Sequence, residues 1–242
     1  MQTVSNSLMV NILANIAPLN ISTNRFLFFF KMDFLPTKIA AYADAHTAPE
    51  SDFLRALVRE THLKTLKPRM LSGHVQGRLL SLIAKLMQPR RILEIGTFTG
   101  YSALCLAEGL VADGILTTLE ANDELESLIH KYINAAGFSE KIDVKIGDAL
   151  KIIPTLDDVF DLVFIDAGKR DYPTYFDLVV PKVRSGGLVI ADNILWSGKV
   201  VEEIKDFDTT IIDQFNKKVL ADERVECLLL PLRDGLMMAR KI

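Results

Sequence analysis

The run Arg91 to Ser102, RILEIGTFTGYS, constrains the fold more than any other stretch of the chain. It reads as a buried strand from Arg91 to Ile95, a glycine-bounded turn from Gly96 to Gly100, and a helix opening at Tyr101. An apolar, β-branched run that breaks into a glycine-rich loop and then a helix is the first βα turn of a doubly wound sheet. Such a turn is expected to bring backbone amides to a ligand at the carboxyl end of the strand. The spacing Gly96-Thr97-Phe98-Thr99-Gly100 is not the G-x-G-x-x-G that cradles a dinucleotide. Glu94 also places negative charge where a pyrophosphate would sit. A cationic ligand without phosphate suits the loop better. S-adenosylmethionine, a sulfonium joined to an amino acid and a nucleoside, has that description.

The chain of 242 residues, 49% of them hydrophobic, is long enough for one large α/β domain with a well-buried core. A net charge of -3 gives no electrostatic case for nucleic acid or an acidic membrane as an obligatory partner. Cys105 and Cys227 form no CxxC pair, which fits a reduced, cytoplasmic setting. The four histidines (His46, His62, His74, His130) show no metal-ligand spacing. Residues 1–31 stand apart: rich in Asn and Ser, charged only at Arg25 and Lys31, and ending in Phe26-Leu27-Phe28-Phe29-Phe30. Their apolar runs are too short to span a bilayer and lack a signal-peptide pattern. They read as a dispensable extension or an arm, with Met32 as an alternative start and a single domain over 32–242.

Within that domain, 32–88 reads as N-terminal helices with a lid. Thr37 to Ala45, Ser51 to Lys64 and His74 to Met87 are helical, the last with Leu79, Leu80, Ile83, Leu86 and Met87 on one face. Pro68 to Gly73 is a loop placed to fold over the nucleoside site. From 89 onward strands alternate with helices. Strands are expected at Ile115–Leu119, Ile142–Ile146, Asp161–Ile165 and Gly187–Ala191; helices at Asp123–Ala136 (capped by Asn122), Tyr172–Val183 and Val201–Leu220. This alternation implies a parallel sheet with helices on both faces. Val225–Leu230 and Leu236–Arg240 are joined too tightly for a crossover, so they close the sheet as an antiparallel hairpin.

Acidic residues fall in a pattern. Glu94, Glu120, Asp148, Asp166 and Asp192 all lie at or just beyond strand carboxyl ends, the ligand-binding rim of an open α/β sheet. Glu120 can accept both hydroxyls of a ribose, and Asp148-Ala149 falls where an adenine edge would lie. If the strands ending in Asp166 and Asp192 are neighbours, the two carboxylates lie about 4.8 Å apart, with Asn193 beside them. Close carboxylates repel unless a proton or cation is shared. An oxygen-only set suits a hard divalent ion, Mg²⁺ or else Mn²⁺ or Ca²⁺, rather than zinc.

The runs ILEIGTFTGYSAL, FIDAGK and IADN resemble the cation-dependent O-methyltransferases, the group that includes the catechol and caffeoyl-CoA enzymes. The resemblance extends from about Met32 to the C-terminus. It implies an α/β class I methyltransferase fold, Rossmann-like, with a seven-stranded, mostly parallel sheet. It implies S-adenosylmethionine contacts at Met70, Ser72, Glu94, Gly96, Thr97, Tyr101, Ser102, Glu120, Asp148, Ala149 and Asp166. It also implies metal ligands at Asp166, Asp192 and Asn193, and a catalytic lysine at Lys169. The acceptor pocket is expected to involve Lys169, Tyr172, Trp196 and Ser197. The chain also departs from the family pattern. Met237 stands where catechol enzymes carry a glutamate, Gly168 where caffeoyl-CoA enzymes carry an acid, and Ser197 where they carry an asparagine.

The expected reaction is methylation of a hydroxyl on a small catechol-like or hydroxycinnamoyl-type acceptor, by a cytoplasmic homodimer without membrane attachment. A hydroxylated uridine in tRNA stays open as an acceptor of the same chemistry. A nicotinamide-dependent oxidoreductase is the competing reading, and the missing G-x-G-x-x-G and Glu94 count against it.

Overall fold

The computed structural model describes residues 35–242; the expected arm and the alternative start at Met32 lie outside the described residues. Three helices lead: α1 (Thr37–Ala45), α2 (Asp52–Lys64) and α3 (His74–Met87). Next come β1 (Arg91–Ile95), α4 (Tyr101–Ala107), β2 (Ile115–Glu120), α5 (Glu126–Ala135), β3 (Ile142–Ile146) and the single turn α6 (Ala149–Ile152). The chain continues through β4 (Phe160–Ile165), α7 (Tyr172–Val179), β5 (Val183–Asp192) and α8 (Phe207–Ala221), and closes with β6 (Val225–Leu230) and β7 (Leu236–Lys241). The strands form one seven-stranded sheet in the order β3-β2-β1-β4-β5-β7-β6. β1 to β5 pair in parallel, and β7 runs antiparallel to both β5 and β6. The closing hairpin and the seven-stranded sheet are as expected. Strand order reverses between β1 and β4, the switch point outside which ligands bind in such sheets.

The two-residue period of the strands sorts their side chains into two cores. Leu93, Val163 and Val189 face one side, where Tyr172, Phe176, Ile212 and Phe215 of α7 and α8 cover them. Ile92, Phe164 and Ile190 face the other, under Leu54, Leu57 and Leu80 of α2 and α3 and under α4. Every residue of α4 is buried. A helix apolar all round needs cover on all sides, and α3 supplies much of it. The buried face of α3 is Gln76, Gly77, Leu80, Ser81 and Ala84, small and polar rather than the leucine-rich face the periodicity suggested. Leu86 is 77% exposed, which corrects that part of the reading. The close packing explains the shift: a Cβ at Gly77 would come within 2.6 Å of the Tyr101 ring.

Other boundaries move for local reasons. The helix expected over Tyr172–Val183 ends at Val179 and passes through a 3₁₀ turn, Val180–Lys182; Val183 already begins β5, which is longer than expected. Pro181 lacks the N–H a continuing helix needs. The stretch expected to be helical from Val201 becomes α8 only at Phe207, where the Asp206 side chain accepts from the Thr209 N–H as N-cap. Asn122 caps as expected, but over a 3₁₀ turn, Asp123–Leu125, that precedes α5. No helix among the described residues is long and apolar enough to cross a membrane.

Candidate active site

A cavity of about 1460 Å³ opens at the carboxyl ends of β1, β2, β4 and β5. It exceeds a typical small-molecule pocket, roughly 300–1000 Å³, and so has room for a nucleoside cofactor and an acceptor together. The segment from Lys64 to Ser72 forms one wall, so the loop read as a lid does border the cavity. Of the residues singled out from sequence, Met70, Ser72, Gly96, Thr97, Tyr101, Ser102, Glu120, Asp148, Ala149, Asp166, Lys169, Asp192, Asn193 and Trp196 line it. Glu94, Tyr172 and Ser197 do not.

At one end the cavity is shaped by backbone. Three amides of the β1–α4 turn are taken up by the end of β2 rather than left for a ligand. Gly96 and Thr97 N–H both donate to Leu119 O, and Phe98 N–H donates to Glu120 Oε2 at 2.6 Å. The turn instead grips the end of β2 and fixes the Glu120 carboxylate. Its other oxygen, Oε1, accepts from Asn122 N–H at 2.9 Å. Each oxygen keeps a lone pair for a further donor. Gly96 has φ +99°, and a Cβ there would fall 2.1 Å from Asp166 O, so no larger residue lets β1 and β4 approach this closely. Asp148 caps α6 through the Leu150 N–H at 2.9 Å. Below the floor, Glu94 is fully buried and accepts from Thr118 Oγ1, which in turn is bonded to Thr97 Oγ1. Burial pushes its pKa up to about 8, and the charges of Asp166 and Glu120 push the same way against the Ser102 and Thr118 hydroxyls. Glu94 Oε1 makes no hydrogen bond.

The other end is built from charge. Ile165 and Ala191 are register partners on β4 and β5, so Asp166 and Asp192 follow side by side. Asp192 is 2% exposed. Burial first, and then the Asp166 charge, raise its pKa to about 7. Asn193 N–H donates to Asp192 Oδ1 at 2.6 Å, and Gln76 Nε2 donates to Oδ2 at 2.5 Å. Lys169 Nζ sits 2.9 Å from Asp166 Oδ1 and donates to the Tyr172 hydroxyl at 2.6 Å; its side chain is 13% exposed. Tyr172 was expected in the pocket wall. It is instead wholly buried, edge-on to Phe215, with its hydroxyl 3.2 Å from Ile165 O and 3.1 Å from Asp192 O. Its position is behind Lys169, where it fixes the ammonium.

The loop after β5 is strained. Asn193, Trp196 and Ser197 all have positive φ, a backbone state that L-residues occupy at a cost and that clusters at functional sites. The β6–β7 turn holds this loop: Leu195 N–H donates to Asp234 O at 2.8 Å and Ser197 N–H to Asp234 Oδ1 at 2.5 Å. Ser197 is thereby turned to solvent. Arg233 and Asp234 line the cavity but were missed from the sequence, because Pro231 to Gly235 carries the composition of any tight turn. Gln76 was missed too. Its only signal was a polar residue in helical register with Leu80.

The residues fit a cation at this end. Two carboxylates lie side by side with the Asn193 amide next in the chain and no His or Cys in the cavity lining, and burial of Asp192 makes their mutual repulsion costly. Among the described residues no group of three or more His, Cys, Asp and Glu is placed to hold a metal. A cation here would rest on two carboxylates, the Asn193 amide and water. At the other end, Glu94 beneath the floor has a carboxyl that burial holds toward its neutral form, and a positively charged group in the cavity above would favour its ionisation.

Comparison with known proteins agrees with this geometry. The sequence model of the family described as "O-methyltransferase" matches residues 44–242. Caffeoyl-CoA O-methyltransferase 1 of Eucalyptus globulus is 35% identical over 185 residues, covering 72% of this chain and 75% of that protein. The O-methyltransferase from Bacillus cereus, solved in complex with SAH, superposes with a TM-score of 0.78 at 29% identity, over 85% of this chain and 98% of that one. TomG from Streptomyces achromogenes, an O-methyltransferase involved in tomaymycin synthesis and solved with SAM, gives 0.77 at 31% identity over 84% and 96%. A match over most of the chain, on a sheet whose rim carries the acids and the lysine in order, places this chain in the O-methyltransferase family.

Proposed function

We propose that the chain transfers a methyl group from S-adenosylmethionine to a hydroxyl of a small catechol-like or hydroxycinnamoyl-type acceptor, with a divalent cation held by Asp166, Asp192 and Asn193. The observation that carries the reading is the side-by-side pair of half-buried Asp166 and buried Asp192 with Lys169 beside it, in the same cavity as Glu120 and Asp148. The likeness to a caffeoyl-CoA enzyme supports the acceptor class. The likeness to structures solved with SAH and SAM supports the cofactor.

S-adenosylmethionine supplies a methyl group on a positively charged sulfur, and the cation, when bound, supplies Lewis acidity toward the acceptor hydroxyl. The residues of the chain do the rest. Glu120 receives the ribose hydroxyls on the two lone pairs its backbone bonds leave over. Asp148 borders the adenine. Beneath the floor, Glu94 favours a cationic group placed above it, such as the methionine ammonium, which would hold its buried carboxyl in the charged form. Lys169 Nζ, after giving up its own proton and standing as a neutral amine, takes the proton from the acceptor hydroxyl, whose ordinary pKa of about 10 makes it a poor nucleophile at neutral pH. Tyr172 and Asp166 hold the amine in place for this step. The O–C bond forms as the C–S bond breaks, so the products are a methyl ether, S-adenosylhomocysteine and one proton. Holding both reactants at attack distance is the main contribution of the protein. Trp196, between Asn193 and the hairpin, borders the acceptor.

Both cysteines are free, which suits a reduced, cytoplasmic setting. A homodimer is the expected assembly: α1 buries none of its residues and exposes Ile39 and Tyr42, and the outer strand β6 exposes Leu228. The test is a methyl-transfer screen over catechols, hydroxycinnamoyl thioesters and hypomodified tRNA, with and without EDTA. Transfer to the first two that EDTA abolishes supports the reading. Transfer to tRNA alone moves the acceptor to nucleic acid, and full activity without metal overturns the cation.

A further inference from the structure

Gln76 is fully buried, in the first turn of α3, far in sequence from the strand end it touches. Its Nε2 donates to Asp192 Oδ2 at 2.5 Å, while its Oε1 has no partner among the described residues. A carboxylate can only accept, so the amide must present its nitrogen to Asp192 and leave its oxygen unpaired. A buried amide with half its polar atoms unpaired is a net cost to the fold, and an apolar side chain of the same size would pack there without it. The one interaction that the amide makes is therefore the reason for its presence. Asp192 Oδ1 is already tied to the Asn193 N–H next along the chain. With Gln76 on Oδ2, both oxygens are held, which restrains rotation of the carboxylate. Each oxygen keeps a further lone pair, and Asp192 borders the cavity.

We propose that Gln76 is a positioning residue for the cation site: from α3 it sets the orientation of the Asp192 carboxylate for a hard divalent ion. The inference rests on the cation reading given above. It also gives the N-terminal helices a role in the chemistry, since α3 reaches the strand ends through this side chain. Partners of this kind behind a metal ligand typically change metal affinity by about 10–100-fold when removed.

The test uses the full chain with Mn²⁺ as probe and S-adenosylhomocysteine present, so that nothing turns over. Free Mn²⁺ is read by electron paramagnetic resonance, and S-adenosylmethionine affinity and melting temperature are measured separately. Gln76→Met, of similar volume, is expected to bind Mn²⁺ about 10–100-fold more weakly, with cofactor affinity within twofold and no loss of melting temperature. Gln76→Asn keeps the amide but is one methylene short of Asp192; it is expected to show the same defect, and it decides the matter if the Met variant does not fold. A folded variant that binds Mn²⁺ as tightly as wild type overturns the proposal, whatever happens to its stability. Wild type that binds no Mn²⁺ overturns the cation reading and this inference with it.

Discussion

The two ends of the cavity are built on different principles. At the nucleoside end, the rim acids are satisfied locally: Glu120 accepts from Phe98 and Asn122, and Asp148 from Leu150, each bond short in sequence or across one strand pair, while Glu94, beneath the floor, keeps an unpartnered oxygen. At the acceptor end, Asp166, Asp192, Lys169, Asp234 and Gln76 converge from β4, β5, the β6–β7 turn and α3. There the charges remain uncomfortable: burial and the facing Asp166 raise Asp192 to about 7, and burial raises Asp234 above its ordinary value. A satisfied site binds ground and transition states alike. A site with stored repulsion favours whatever brings positive charge to it. The first end is therefore expected to govern affinity and the second to govern rate.

The largest effect should come from unmaking the acceptor end. EDTA is expected to lower turnover by more than about a thousandfold, several kcal/mol, with restoration by Mg²⁺ or Mn²⁺. Asp192→Asn should match that loss while its calorimetric affinity for S-adenosylmethionine stays near wild type. A cofactor affinity that collapses with Asp192 would join the two ends into one and break the contrast.

Lys169→Met follows, with kcat lowered by about 10²–10⁴ and cofactor affinity unchanged. The deficit should shrink as pH climbs toward the hydroxyl's own pKa of about 10, and for acceptors whose hydroxyl is more acidic. A pH profile of kcat, taken where chemistry limits the rate, checks this. Near-normal kcat at neutral pH would remove Lys169 from the proton transfer.

Glu120→Gln should behave in the opposite way. Weakening two charge-assisted bonds to ribose costs about 1.5–3 kcal/mol, so KM for S-adenosylmethionine is expected to rise roughly ten- to a hundredfold with kcat little changed. A kcat loss without a KM change would show that the nucleoside end also acts on the transition state.

Glu108, between α3 and α4, belongs to neither end and sharpens the contrast as a control. It accepts from both Arg78 terminal nitrogens, from Ser81 and from Lys85. Burial works against its charge, but these bonds prevail and hold its pKa at about 2. A carboxyl whose folded pKa is depressed stabilises the protein above its ordinary value of 4.5, and this is lost as pH falls toward about 2. Thermal denaturation should therefore show wild-type stability falling over that window. Glu108→Gln should lose about 1–3 kcal/mol at neutral pH, flatten the acid limb, and leave KM alone. An unchanged acid limb would mean that the cluster adds nothing to the folded state.

Much of the nucleoside end is legible in the sequence because its signals are local. A β-branched run, Gly96, and an acid at the end of the next strand occupy fixed offsets, and β1 came out with the limits read from the sequence. What the local pattern did not carry is how the turn uses its amides: Gly96 and Thr97 N–H on Leu119 O of β2, and Phe98 N–H on the Glu120 carboxylate. At the acceptor end, Asp166 and Asp192 were visible as strand-end acids. The role of Tyr172 was not, because period alone does not say that a tyrosine beside a lysine turns under it. Gln76 and Asp234 gave still less, since a polar residue on a helix and an acid in a turn are ordinary on any surface.

The sequence by itself determined the elements that depend on neighbours a few residues away: the alternating strands and helices, the tight closing hairpin, the cap at Asn122, and the row of acids on one rim. Tertiary structure decided what those acids face. Register between β4 and β5 sets Asp192 against Asp166, and the close approach of α3 to α4, permitted by Gly77, goes with Gln76 reaching Asp192. Electrostatic energy depends on distance and burial, and both are set by residues 26 to 116 positions apart in the chain. Local pattern carries no measure of either.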